Sequence, residues 1–359
     1  MMAESTKKMV RPEELENFCV RALRNAGLSE KDARTSAQVL VTNDTWGIHT
    51  HGSRQFRGLL RAVKAGRLNV NATPEIVAQG PAWALVDGHH AFPMVTASQA
   101  MKTAIDKARG SGTAYVGVKN SSHFGAAGYY ANMAAKEDMI GISVSNTDPI
   151  MTVPGSRARI FGTNPFSYAI PAGEEKPVFL DIAVSAVAAT KVLAAREVGK
   201  QVPSDWIVDK EGMPTTDPNE FMDGGAMVPM AGHKGYGLAL FIEVLAAVMT
   251  GAGITQEVPS WIAEQPNPVG QGHAFIAIDI SKIIPIAEFK GRMDRMIREI
   301  KSAPKAKGSD RIYLPGEMEW ERYEIALKQG IQLPDHVIGS LTEIAQEWGL
   351  ESELKKLLG

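Results

Sequence analysis

The sequence predicts an α/β protein with a helical N-terminal part, on three observations. Apolar residues recur at helical spacing through residues 12–66. From Ala82 onward, short apolar strands alternate with helices, the grammar of a layered α/β architecture. The G-x-G-x-x-G fingerprint of doubly wound dinucleotide folds occurs nowhere in the 359 residues, so a Rossmann reading of that alternation has no support.

Taken in order, Pro12 suits a first helical turn, and Leu15, Phe18, Cys19, Ala22 and Leu23 make one apolar face. Gly27 stops that helix, and Ser29 caps a second that runs to about Thr42. A third helix follows Gly52 and reaches Gly66, with Arg57, Arg61 and Lys64 on one side. Residues 82–86, 114–118 and 140–145 read as strands, with helices over 97–109 and 125–135 between them. Later strands lie at 177–182 and 274–280. Residues 235–249 read as a long buried helix, and helices return from Pro334. Residues 258–272, rich in Pro, Gly and Gln, read as a surface loop, as do 302–311. The expected layout is a helical part over 1–75, a sheet/helix domain over 76–118 closed by a C-terminal return over 300–359, and a central domain over 119–299.

Composition narrows the function classes. Apolar residues make up 44% and the net charge is −2, so nothing favours nucleic acid or an anionic membrane as a partner. The longest apolar run, 238–249, is broken by Glu243 and falls short of the roughly 20 residues a bilayer requires. A single cysteine, Cys19, excludes a disulfide framework within the chain. The N-terminus carries no apolar signal segment, and the expectation is a cytoplasmic protein acting on a small molecule.

Five clusters could carry chemistry. Gly232-His233-Lys234-Gly235-Tyr236-Gly237 is either a tight turn opening a helix or a helix start whose backbone N–H groups, with Lys234, hold a phosphate. His49-Thr50-His51-Gly52-Ser53-Arg54 places two histidines where they could share a metal, or where they simply line a capped loop; no convincing third ligand accompanies them, and no metal is expected. Asn120-Ser121-Ser122-His123-Phe124-Gly125 follows a strand, where ligands gather in open sheets. His123 there is either a general acid/base or a loop-bracing hydrogen-bonding group. Ser145-Asn146-Thr147-Asp148-Pro149 also follows a strand; Asp148 could orient His123, or Asp-Pro could merely form a turn. Finally, small residues at Gly162-Thr163-Asn164 and Asp181-Ile182-Ala183 would let a flat ring approach the backbone, or begin a helix.

Together these segments resemble the type-2 malate/L-lactate dehydrogenase family, which includes ureidoglycolate, sulfolactate and diketogulonate dehydrogenases. The matching pieces run in the family's order: Thr50-His51-Gly52, Ser122-His123-Phe124-Gly125-Ala126, Thr147-Asp148-Pro149, Gly162-Thr163-Asn164-Pro165, Asp181-Ile182-Ala183, His233-Lys234-Gly235-Tyr236-Gly237 and Pro315-Gly316-Glu317. The resemblance implies a non-Rossmann α/β fold with an α+β-like mixed sheet, a homodimer, and NAD, with NADP as the alternative, bound by the central domain. It makes His123 the acid/base, Asp148 its carboxylate partner and His51 a second active-site histidine. Thr147, Asp181, Ile182, Ala183, His233, Lys234, Pro315, Gly316 and Glu317 fall at the family's cofactor positions. One departure stands out: the family often reads Ser-His-Gly-x-x-Arg, with the arginine on the substrate carboxylate, whereas here Gln55 holds that position and Arg54 precedes it. Arg54 is expected to take over the carboxylate.

The implied reaction is hydride transfer between nicotinamide and C2 of a small 2-hydroxy/2-oxo acid, with His123 handling the proton. A cyclic imino acid reductase is the alternative. A metal-dependent hydrolase built on His49, His51 and His123 is a third reading, from a different class.

Overall fold

The computed structural model describes residues 8–261 and 267–359. After a two-residue strand β1 (Met9–Val10), the N-terminal periodicity resolves into α1 (Pro12–Asn25), α2 (Glu30–Thr45) and α3 (Ser53–Lys64). Ser29 caps α2 as expected, its hydroxyl accepting from the Asp32 N–H at 3.1 Å. Next come β2 (Glu75–Gly80), β3 (Trp83–Asp87), α4 (Pro93–Ser111), β4 (Thr113–Ser121), α5 (Ala127–Ala135) and β5 (Met139–Ser145). The chain continues through β6 (Phe166–Ile170), β7 (Val178–Ile182), α6 (Ala189–Glu197) and the short strands β8 (Ile207–Val208), β9 (Pro214–Thr215) and β10 (Ala226–Met227). It closes with α7 (His233–Glu243), β11 (Gln271–Asp279), α8 (Ile286–Ser302), α9 (Glu317–Gln329), β12 (Ile331–Gln332), α10 (Asp335–Trp348) and α11 (Glu351–Leu358).

Seven strands form one mixed sheet in the order β2-β3-β4-β11-β5-β6-β7, in which β3 and β4 are parallel and the other neighbours antiparallel. The late strand β11 enters between β4 and β5, antiparallel to each, so β4 and β5 run the same way and end on the same side. Register makes this concrete: Gln271 pairs with Ser121 and His273 with Ser145. Phe166 at the start of β6 pairs with Ile182 at the end of β7. Four motif-bearing segments, after β4, after β5, before β6 and at the end of β7, therefore converge with the start of β11 on one end of the sheet.

Alternation along the strands builds two cores. Ala114, Val116 and Val118 of β4, with Phe275 and Ala277 of β11, face α1–α5 and the C-terminal helices α10 and α11. Tyr115 and Ala274 on the opposite face pack into a second core with Val144, Phe161, Val184, Ile242 and Ala246. The sheet runs across the boundary expected near residue 118, because β4 extends to Ser121 and β11 joins it to β5.

Three sequence expectations change. The helix read over 235–249 starts at His233 and becomes a π turn over Val244–Val248. It is not buried all round: Leu240, Phe241, Val244, Val248 and Met249 are exposed. Residues 258–272 are no plain surface loop, since Val258 and Gln271 are buried and β11 already begins at Gln271; residues 262–266 of that stretch lie outside the described residues. Strands β2 and β6 were not anticipated, for β2 has no buried residue to give it an apolar signature.

Gly272 tests the close packing where β11 enters the sheet. Its N–H donates to Asn146 Oδ1 at 2.9 Å, and a Cβ there would overlap the Ala246 carbonyl. Gly272→Ala is expected to cost about 1–3 kcal/mol by urea denaturation. Gly110→Ala on α4, where a Cβ meets open space, should leave the midpoint unchanged or raise it.

Candidate active site

The site lies at the sheet end where β4 and β5 finish and β11 begins. His273, fully buried on β11, spans the two strand ends: its Nδ1 lies 2.8 Å from Ser145 Oγ and its Nε2 2.9 Å from Ser121 Oγ. The Ser145 hydroxyl donates to the Asn146 carbonyl at 2.8 Å, so its oxygen accepts from His273 Nδ1–H, and the Ser121 hydroxyl donates to Nε2. The His273 ring packs on Phe124 with centroids 4.3 Å apart. Burial pushes this imidazole down to about 3, leaving it neutral.

Beside this brace sits His123. The Gly125 N–H donates to its Nδ1 at 3.2 Å, which leaves the Nε2 edge for a ligand. Two rings lie against it: His51, stacked at 5.3 Å and 29°, and Trp261 at 4.3 Å and 39°. Burial, then the neighbouring His51 and His273, holds His123 well below the ordinary histidine value. Burial alone pushes His51 down to about 4.

The His51 carbonyl is clasped by two amides, Asn43 Nδ2 at 2.9 Å and Gln55 Nε2 at 2.5 Å. Both residues are buried, and the carbonyl oxygens Asn43 Oδ1 and Gln55 Oε1 find no partner among the described residues. Gln55 is thus the inward residue of its pair. Arg54 is exposed on another face of α3; its carbonyl accepts from Ser340 Oγ at 3.2 Å. Burial and then the charges of Arg54 and His49 keep His336, on α10, below the ordinary histidine value. The carboxylate role expected of Arg54 therefore lacks geometry within this chain.

Asp148 also departs from expectation. Its carboxylate bonds with the Ser260 side chain and lies near Arg159, while burial raises it above the usual carboxylate range. Among the described residues its contact with His123 is indirect, through Ser260 and the adjoining Trp261. The two histidines weighed as metal ligands in the hydrolase alternative have separate partners. His49 Nδ1 bonds Asp44 Oδ1 at 2.8 Å, and Asp44 Oδ2 accepts from the Ser53 N–H at 2.8 Å. No group of three metal-ligating side chains converges among the described residues, so the hydrolase reading loses its ligand set.

The positions expected to hold the cofactor lie at the ends of β5 and β7 and in the segments that open α7 and α9. The Thr147 N–H donates to Asn164 Oδ1 at 3.1 Å, and the Thr147 hydroxyl is buried without a partner among the described residues. Asp181 accepts from the Gly128 N–H at 2.7 Å, and burial pushes it up to about 6. Ile182 ends β7, and Ala183 leads to Val184, whose carbonyl accepts from the Met230 N–H at 2.9 Å. That bond sets Asp181, Ile182 and Ala183 beside the turn that opens α7, where His233 and Lys234 are exposed. Pro315 joins the same strand through the Phe179 N–H, 3.3 Å from its carbonyl. Gly316 packs on Phe179 at a φ of +82°, where a side chain would collide. The Glu317 carboxylate is committed to Lys301, Arg311 and the Leu314 N–H.

A scan of family models matches residues 10–342 to the malate/L-lactate dehydrogenase model. The chain belongs to the malate/L-lactate dehydrogenase family. It is 38% identical over 346 residues to the malate dehydrogenase of Pyrococcus abyssi, covering 94% of each chain. The solved sulfolactate dehydrogenase of Methanocaldococcus jannaschii superposes with a TM-score of 0.90 at 35% identity, covering 98% of this chain and 100% of that one. The ureidoglycolate dehydrogenase (NAD(+)) of Escherichia coli K12 is 32% identical over 325 residues, covering 90% of this chain and 92% of that one. The mixed sheet is therefore that of this dehydrogenase family, as the resemblance implied.

Sequence reasoning passed over four residues of this family member's site. His273, a polar residue in an apolar strand, and Glu243, a charge inside an apolar run, carried a readable signal. Glu243 is buried and accepts from Asn164 Nδ2 at 2.8 Å, the Thr255 N–H at 2.9 Å and Asn146 Nδ2 at 3.3 Å. A buried carboxylate is tolerable only with such partners. Asn43 and Trp261 gave no signal, because their partners are distant in sequence.

The depressed histidines set a pH dependence of stability. Their folded values lie below the unfolded value of about 6.5, so the unfolded chain binds more protons below that pH. Their contribution is complete above about pH 6.5 and is lost as pH falls toward 4 for His51 and 3 for His273. The urea midpoint should fall steadily from pH 7 to 4, and His273→Gln should flatten that slope. An unchanged slope in the variant would remove His273 as its source.

Proposed function

We propose that the chain is an NAD-dependent dehydrogenase of small 2-hydroxy/2-oxo acids, with His123 moving the substrate proton. The observation that carries this reading is the solitary Nε2 edge of His123, bordered by His51 and Trp261 at the end of β4. The cofactor assignment is supported by the NAD(+) in the name of the ureidoglycolate relative and by the orphaned Thr147 hydroxyl beside the Gly162 backbone. Thr147, Asp181, Ile182, Ala183, His233, Lys234, Pro315 and Gly316 would hold it; Glu317 would act by capping α9. When bound, nicotinamide supplies the hydride donor or acceptor.

The protein's part is positioning and proton handling. In reduction, the protonated His123 ring delivers its Nε2 proton to the oxygen developing at C2. In oxidation, Nε2 receives the hydroxyl proton. Such general acid–base help is worth about 10²–10⁴-fold. Gln55 rather than Arg54 faces the site, so an amide, not a guanidinium, would meet the substrate from α3. A cyclic imino acid would present its nitrogen to the same edge, and the substrate panel includes both classes. A second copy of the chain would cover the exposed face formed by Phe241 of α7 with Val248 and Met249 of the π turn and its end, giving the homodimer.

Three outcomes test this reading. NADH or NADPH at millimolar concentration should raise the melting temperature, and no shift with either would refute the cofactor assignment. His123→Ala should lower kcat by about 10²–10⁴-fold with cofactor affinity retained; wild-type turnover would transfer the role to His51. Gln55→Ala should reduce kcat/KM more than Arg54→Ala, measured across 2-oxo acids and cyclic imines, and the reverse order would restore Arg54.

A further inference from the structure

We propose that Trp261 determines substrate specificity, its indole forming the wall that limits the size of the group carried on C2. The inference rests on the reading above, in which substrate oxygen meets His123 Nε2. A hydrogen bond of about 2.8 Å to that nitrogen places C2 roughly 4 Å from it, and the next carbon only a bond further. The indole centroid stands 4.3 Å from the His123 centroid. A substituent on C2 is therefore within van der Waals reach of the indole.

Trp261 is held there from three directions. Its ring rests on α3 at Gly58, where an added Cβ would stand 3.0 Å from Cζ3. Its carbonyl accepts from Arg67 Nη1 at 3.3 Å. The preceding residue, Ser260, bonds the Asp148 carboxylate. Glycine inside an exposed helix costs about 1 kcal/mol relative to alanine, and at Gly58 its lack of a side chain provides the seat for the ring. A flat apolar surface fixed in this way admits compact C2 substituents and excludes branched or aromatic ones.

The test is a ratio. Pyruvate, oxaloacetate, 4-methyl-2-oxopentanoate and phenylpyruvate are compared by kcat/KM with wild type, Trp261→Ala, Trp261→Phe and Gly58→Ala. Wild type should favour the two compact acids. Trp261→Ala should move the bulky-to-compact ratio at least tenfold toward the bulky acids, with Trp261→Phe between. Gly58→Ala, pressing on the indole from behind, should move the ratio the other way. Equal loss on all four substrates, at an unchanged ratio, would make Trp261 a structural cover and overturn the proposal. Should Trp261→Ala fail to fold, the Phe and Gly58 variants decide by the same ratio. Wild-type turnover of any one acid upholds the dehydrogenase reading independently; turnover of none, with cyclic imines also inert and no melting shift from NADH or NADPH, overturns that reading and the proposal with it.

Discussion

The arrangement depends on one topological constraint: β11, late in sequence, runs antiparallel between β4 and β5. That insertion makes two early strands end together, and it brings its own first residues to the same place. The pairing of His273 with Ser145 and Gln271 with Ser121 fixes the offset between the two loops that follow. A one-residue slip would turn every side chain of β11 to the other face, moving His273 from the serines and Phe275 from its core. Register and site geometry are thus the same quantity. The His273 ring adds a side-chain link between the ends of β4 and β5, which do not pair with each other directly.

A second brace ties the far side to the first. Thr147, Asn164 and Glu243 form a chain of hydrogen bonds from the end of β5, through the segment before β6, to α7. Glu243 is the last residue of α7 before the helix widens into its π turn. Insertions of this kind recur at functional sites because they re-aim side chains without ending a helix. Here the wider turn continues the line from a fully satisfied buried carboxylate to Ala246, whose carbonyl lies against Gly272. The two braces meet at Asn146, which is bonded to Glu243 and to Gly272.

Local signals in the sequence were enough for the N-terminal helices, five of the seven strands of the main sheet and the family's ordered motifs. Ser29, Gly27 and Pro12 act within a few residues of themselves, so their consequences are readable without the fold. His51 and His123 were singled out by motif, and the structure brings them together. What the local signals missed was decided by contacts distant in sequence. Asp148 looked like a partner for His123 because both follow strands, but its carboxylate bonds Ser260, while the ring against His123 is that of Trp261. Residues 258–272 looked like a loop because Pro, Gly and Gln dominate them, yet Trp261 lies against the catalytic candidate. Arg54 and Gln55 differ by one residue, and only their directions around α3 separate an exposed guanidinium from a buried amide.

The partners of His123 bear on how it can carry a proton. In a triad-like arrangement a carboxylate grips Nδ1–H and stabilises the imidazolium. Here Nδ1 instead accepts from the Gly125 N–H, and the adjoining rings are apolar or neutral. The neutral ring therefore keeps its proton on Nε2, and no fixed anion rewards a second proton. Taking up a substrate proton at Nε2 requires the ring proton to move to Nδ1, at the expense of the Gly125 bond. Nδ1–H then faces the Gly125 N–H, and a buried donor left without an acceptor costs about 1–3 kcal/mol, so hydrogen bonding as well as burial disfavours the doubly protonated ring. The imidazolium formed is then an acid stronger than ordinary histidine, because burial and two neighbouring imidazoles disfavour it. A site built this way releases its proton readily to an oxygen gaining negative charge, and returns to the neutral form that its surroundings stabilise.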